Sequence, residues 1–214
     1  MTLLSRFTRH LTQHAVALPC AIALLLCANL AQAKTLLVVG DSISAAYGIS
    51  QSQGWVALTA EKLRKTHPTL TLINASISGE TTAGGAQRLP ALLKTHTPSW
   101  VVIELGGNDA LRGLPLSQTQ TNFKTMIAAA KASQAKVLLV PMQIPPNYGT
   151  AYAKGFNALY DTLGKAQRVP VSAFIFKDFA DNLSYFQADR IHPTAQAQPL
   201  MAATLWPAIE TLVR

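Results

Sequence analysis

The stretch "LLVVGDSISAAYGIS", residues 36–50, begins as a run of branched apolar residues and breaks off at Gly40-Asp41-Ser42. An apolar run with no polar alternation describes a strand buried on both faces, as in a parallel sheet covered by helices. Gly-Asp-Ser at its end is ordinary turn and helix-cap chemistry. Ser42 on its own reads as a cap about as well as it reads as a nucleophile. The rest of the chain has to decide between the two.

Working outward, the same kind of run recurs. "TLLVVG" (35–40), "LTLINA" (70–75), "SWVVIELG" (99–106), "AKVLLVPM" (135–142) and "VPVSAFIF" (169–176) read as strands. Residues 55–67, 83–96, 119–133, 150–167 and 194–213 between and after them show helical spacing of apolar positions. Pro90, Pro199 and Pro207 are expected to kink or shorten their helices. Strands alternating with helices predict an open, doubly wound α/β sheet with right-handed crossovers. Ligands bind such sheets outside the carboxyl ends of the strands, so functional residues belong just after each strand.

The first 33 residues are set apart from this pattern. Arg6 and Arg9 precede an apolar core from Ala15 to Leu30, and Ala31-Gln32-Ala33 follows it. A basic start, a short apolar run and an A-x-A end describe a secretory signal peptide cut after Ala33. Residues 34–214 are then a single exported domain, periplasmic or secreted. Cys20 and Cys27 both lie in the signal segment, so the exported part has no thiol nucleophile, thiolate ligand or disulfide. It carries 16 basic against 10 acidic residues, a formal charge of +6. The basic residues stand singly, which argues against a nucleic-acid stripe and leaves only nonspecific attraction to anionic surfaces.

The segments after the strands hold the chemistry. They are Gly40-Asp41-Ser42, then "NASISGET" with Gly79, then "GGNDALRG" with Asn108 and Asp109, and finally "ADRIHPTAQ" with Asp189 and His192. Taken singly, each fits a turn, a positive-φ glycine or a helix cap. The histidines sharpen the picture. His67 and His96 end helices ahead of strands and so fall at the amino edge, whereas His192 is on the carboxyl rim with a carboxylate three residues away. A serine hydroxyl needs a base to take its proton. His192 can do so, with Asp189 fixing its tautomer. The Ser42 and Gly79 backbone N–H groups and the Asn108 amide can face the oxyanion. No part of this scheme needs a metal or a cofactor.

"GDSISAAYG", "NASISGETT", "ELGGNDALRG" and "DRIHPT" together resemble the four sequence blocks of the GDSL, or SGNH, hydrolases, the letters standing for Ser42, Gly79, Asn108 and His192. The likeness spans essentially all of residues 34–214 and is strongest to the group of periplasmic thioesterases, lysophospholipases and arylesterases. Ile43 replaces the leucine of the block-one name, a conservative change. The resemblance implies a flavodoxin-like three-layer sandwich with a five-stranded parallel sheet of order 2-1-3-4-5. It also implies hydrolysis of esters or thioesters. Asp41 and the loop residues Ile144, Pro145 and Tyr148 are the candidates for contacting the acyl substrate. A monomer acting on a small acyl ester or thioester is expected, with transient contact with membrane lipid and none with nucleic acid. Two rivals stand beside this reading: a carbohydrate or peptidoglycan O-acetyl esterase using the same triad, and a non-catalytic phosphate-binding module with Gly40–Ser42 at a helix start. The second lacks any G-x-G-x-x-G or G-K-[ST] signature and leaves His192 idle.

Overall fold

The computed structural model describes residues 34–214, and the signal-segment expectation for residues 1–33 lies outside the described residues. Strand β1 (Lys34–Gly40) is central, between β2 (Leu70–Asn74) on one side and β3 (Trp100–Glu104) on the other, with β4 (Lys136–Leu139) beyond β3. All three pairings are parallel, and the register sets Gly40 opposite Glu104. Leu36 to Val39 and Val101 to Ile103 are wholly buried. That explains why these strands read as unbroken apolar runs rather than alternating ones.

Helices α1 (Trp55–Thr66), α2 (Thr82–His96), α3 (Gly107–Leu111), α4 (Leu116–Ala132), α5 (Thr150–Asn157), α6 (Leu159–Gln167) and α7 (Gln198–Val213) fill the crossovers and the end of the chain. They fall into two groups: α1 packs with α7, while α2 packs with α4 and α4 with α6. The path from β1 to β2 and back across β1 to β3 reverses direction. Right-handed crossovers then put α1 and α2 on opposite faces of the sheet. The carboxyl ends of β1 and β3 form the switch point between those halves.

Three expectations are corrected. The fifth strand expected over 169–176 reduces to one parallel bridge, Val171 against Leu139, and the sheet has four strands in the order 2-1-3-4. The Leu139 N–H donates to Pro170 C=O at 3.0 Å and the Ser172 N–H to Leu139 C=O at 2.9 Å. Pro170 has no N–H of its own to extend the ladder. Beyond Ser172 the chain turns repeatedly, so that Ile175, Phe176 and Phe179 are buried. A short apolar run is the same in sequence whether it pairs as a strand or packs from turns. The single helix expected over 150–167 is two, α5 and α6, meeting at Ala158. Pro90 and Pro207 lie inside α2 and α7 without ending them. Pro199 stands in the first turn of α7, where a missing N–H costs no intrahelical bond.

The exit from β3 is fixed from across the core. The Tyr160 hydroxyl, on α6 and fully buried, donates to Leu105 C=O at 2.7 Å. Gly106 follows in the left-handed region at φ 102°, and a Cβ there would lie 2.6 Å from the Tyr160 oxygen. Tyr160→Phe leaves the Leu105 carbonyl buried without its partner, at a cost of about 1–3 kcal/mol. Urea unfolding is expected to show this as a lower midpoint with an unchanged slope.

Candidate active site

The turn after β1 is shaped by Asp41 rather than by Ser42. The Asp41 Oδ1 accepts the Ile43 N–H at 3.0 Å, and the Asp41 carbonyl accepts the Ala45 N–H at 2.9 Å. Ala46 takes a left-handed φ of 59°, and the Tyr47 N–H closes the turn on the Ser42 carbonyl at 3.1 Å. With the turn chemistry supplied by its neighbour, the Ser42 side chain is free to face another group.

That group is His192. Its Nε2 lies 2.9 Å from Ser42 Oγ, and its Nδ1 lies 2.7 Å from Asp189 Oδ2. The Asp189 Oδ1 accepts the backbone N–H groups of Ile191 at 2.9 Å and His192 at 3.0 Å. Burial pushes the Asp189 carboxyl up. The His192 N–H, the imidazole and the Ile191 N–H together outweigh it and hold it at about 2. An ionised Asp189 fixes a proton on Nδ1 and leaves Nε2 free to accept one from Ser42, the arrangement a hydroxyl needs to become a nucleophile.

The other rim residues arrive from β2 and β3. The Ile77 N–H donates to Gly40 C=O at 3.0 Å, which carries the segment after β2 alongside the Ser42 turn. Gly79 has a φ of 78°, a backbone shape that side chains rarely adopt, and its carbonyl accepts from Arg112 Nη2 at 3.0 Å. Asn108 sits on the first turn of α3, and its Nδ2 donates to Asp41 Oδ2 at 3.0 Å. An amide nitrogen carries two hydrogens, so one N–H of Asn108 is used by Asp41 and the other is left for a ligand.

Two expected substrate contacts are corrected. Asp41 is only 2% exposed and has both oxygens occupied, by Ile43 and Asn108, so it positions the rim instead of meeting a ligand. Ile144 belongs to the core, and its backbone N–H and C=O are held by Asn157 at 3.0 and 3.3 Å. Pro145 and Tyr148, from the same loop, are exposed. Asp109 is also buried: it accepts from the Thr82 N–H at 2.9 Å, from the Thr82 hydroxyl and from the Thr119 hydroxyl at 3.3 Å. It ties the start of α2 to α4.

Sequence reasoning missed three residues. Glu104, at the end of β3, is fully buried opposite Gly40, and its Oε2 accepts the Ser44 hydroxyl at 2.7 Å. Burial, and then the negative charge of Asp41, push its carboxyl well above the ordinary range, so it stays protonated. A lone carboxyl inside an apolar run was the available signal. Tyr47 stacks on the His192 ring with centroids 4.4 Å apart, and Gln187 bonds to the Tyr47 carbonyl. Neither carries a mark in the sequence, because both contacts are made between distant segments.

The model of the GDSL-like lipase/acylhydrolase family matches residues 38–199. Esterase TesA of Pseudomonas aeruginosa is 45% identical over 199 residues, covering 93% of this chain and 99% of its own. The thioesterase 1/protease 1/lysophospholipase L1 of Escherichia coli is 41% identical over 196 residues, covering 92% and 93% respectively. The crystal structure of the psychrotrophic esterase EstA from Pseudoalteromonas sp., inhibited by monoethylphosphonate, superposes with a TM-score of 0.80 at 39% identity. That match covers 84% of this chain and 98% of the esterase.

Burial, and to a lesser degree the negative charge of Asp109, raise the Asp41 carboxyl from 3.8 to about 6 against the hydrogen bonds of Ile43 and Asn108 and the pull of His192. Between those values the folded protein holds a proton that the unfolded chain has lost, so stability falls as pH rises through the window. Asp41→Asn removes the titration, and its stability relative to the parent is expected to improve by up to about 3 kcal/mol between pH 4 and pH 7. Urea unfolding of both proteins at the two pH values measures the difference; parallel behaviour would refute it.

Proposed function

This chain belongs to the GDSL-like lipase/acylhydrolase family, and on that premise we propose that it is a serine esterase acting on acyl esters through a covalent acyl-enzyme on Ser42. The observation that carries the reading is the hydrogen-bonded chain Ser42 Oγ–His192 Nε2, His192 Nδ1–Asp189 Oδ2, at 2.9 and 2.7 Å. Ser42 Oγ attacks the acyl carbonyl and His192 Nε2 takes its proton. The tetrahedral intermediate places its oxyanion against the Ser42 and Gly79 N–H groups and the second N–H of Asn108. Collapse breaks the bond to the leaving alcohol or thiol, which receives the proton from His192. Water, deprotonated by the same nitrogen, then releases the acid.

Several features support an apolar acyl chain as the substrate. Among the described residues, the exposed large apolar side chains are Tyr47, Ile77, Leu111, Tyr148, Leu183 and Ile191. Each lies in a segment that leaves the carboxyl edge of the sheet. Pro145 and Tyr148 flank the acyl group from the loop after β4. Thioesters and lysophospholipids, named for the Escherichia coli relative, fit the same chemistry. The apolar rim also suits passing contact with membrane lipid by a monomer. We read residues 34–214 as one hydrolase domain, exported to the periplasm or beyond by the signal at residues 1–33.

Ser42→Ala is expected to abolish hydrolysis of p-nitrophenyl acyl esters and labelling by a fluorophosphonate while leaving the circular dichroism unchanged; full activity would overturn the reading. Asn108→Ala is expected to lower kcat by roughly 10²–10³ if its free N–H serves the oxyanion. Asp189→Asn is expected to cost up to about 10⁴, through loss of the tautomer that Asp189 enforces.

A further inference from the structure

We infer that Gln187 is a positioning residue whose side-chain amide ties the turn carrying Ser42 to the loop carrying His192 and so sets the approach of imidazole to hydroxyl. The inference rests on the reading of Ser42 and His192 as nucleophile and base. Those two residues are 150 positions apart, and the sheet holds only one of them. Ser42 follows directly from the central strand, whereas His192 stands in a loop among turns and one-residue bridges.

Asp189 orients the ring within that loop, but its bonds reach no further than Ile191 and His192. Gln187 reaches across. Its Nε2 donates to the Tyr47 carbonyl at 2.8 Å and to the Pro193 carbonyl at 3.1 Å. Both acceptors are carbonyl oxygens, so only the NH₂ end of the amide fits there and its orientation is fixed. The Tyr47 carbonyl belongs to the turn closed by the Tyr47 N–H on Ser42 C=O, at 3.1 Å. On the other side the Gln187 N–H donates to His192 C=O at 2.8 Å, beside an antiparallel bridge between Phe186 and Pro193. Among the described residues, the Ser42–His192 contact itself and the Gln187 amide are the hydrogen bonds joining residues 41–50 to residues 186–194.

The backbone leaves room for this amide. Gly48 has a φ of 75°, and a Cβ on it would lie 2.2 Å from Gln187 Oε1. The clamp also holds Tyr47 where its ring stacks on the imidazole, centroids 4.4 Å apart. Loss of the clamp therefore loosens the Ser42–His192 contact without touching the Asp189–His192 pair.

The test uses Gln187→Met, which keeps length but has no donor, and Gly48→Ala, which keeps the amide but displaces it. Misplacement of reacting groups by about an ångström costs up to ~10²-fold. Each variant is accordingly expected to lower kcat on a p-nitrophenyl ester, and the rate of Ser42 labelling by a fluorophosphonate, by roughly 10–100-fold with KM little changed. The low-field proton resonance of His192 Nδ1–H is expected to persist, because that bond is local. Unchanged kcat and labelling in folded Gln187→Met would overturn the inference. So would loss of the low-field resonance together with activity, since Gln187 would then only support the fold of the loop. Failure of the unsubstituted protein to label at Ser42 would instead overturn the acyl-transfer reading, and this inference with it.

Discussion

Asp41 has two carboxylate oxygens, and each holds a different part of the rim. Oδ1 accepts the Ile43 N–H and bends the chain so that Ser42 leaves the central strand facing outward. Oδ2 accepts from the Asn108 amide and points that side chain at the same spot. Nucleophile and proposed oxyanion donor, 66 positions apart, therefore share one buried anchor. The anchor lies under the site, 2% exposed, and the low dielectric there strengthens both bonds. It also makes the charge expensive, which is why the carboxyl is raised to about 6.

Three carboxyl groups near the rim are pushed in different directions, and their surroundings assign them different work. Asp189 accepts two backbone N–H groups and an imidazole and is held at about 2, so it is an anion at neutral pH. Glu104 accepts the Ser44 hydroxyl and the Asp41 N–H, but full burial and the adjacent Asp41 charge outweigh them and push its carboxyl well above the ordinary range, so it gives Asp41 no second negative charge to oppose. Two adjacent carboxyls in one dry pocket cannot both ionise cheaply. The strand end that presents Ser42 is consistent with one charge only.

What was legible in the sequence follows from how local each signal is. The Asp189-to-His192 spacing is a three-residue contact, and the strand runs report burial directly, so the rim and the Ser42–His192 pairing were both accessible from residue order and topology. Asp41 was misread because a carboxylate beside a serine looks like a ligand contact. Only the arrival of Asn108 from β3 shows that its second oxygen is taken. The fifth strand differs from its reading because Ile175 and Phe176 are apolar for burial from a turn, Phe176 against Phe179, rather than for pairing. The contacts of Glu104 with Ser44, of Tyr47 with His192 and of Gln187 with Tyr47 could not be read for a common reason: each joins residues 60 or more positions apart, and no spacing rule spans that distance.

The two halves of the site are held by different physics. Ser42 is 9% exposed and follows a strand buried from Leu36 to Gly40, so its position is a consequence of the core. The Asp189 side chain is 38% exposed, in a loop whose shape depends on a handful of hydrogen bonds open to competition from water. Opening such a loop costs far less than opening the sheet. The Ser42–His192 distance therefore depends on the weaker half. Residues such as Gln187, which join that half to the rigid one, govern the reaction geometry although they touch no reacting atom. A core substitution and a loop substitution of equal cost to stability should differ in their effect on the rate for this reason.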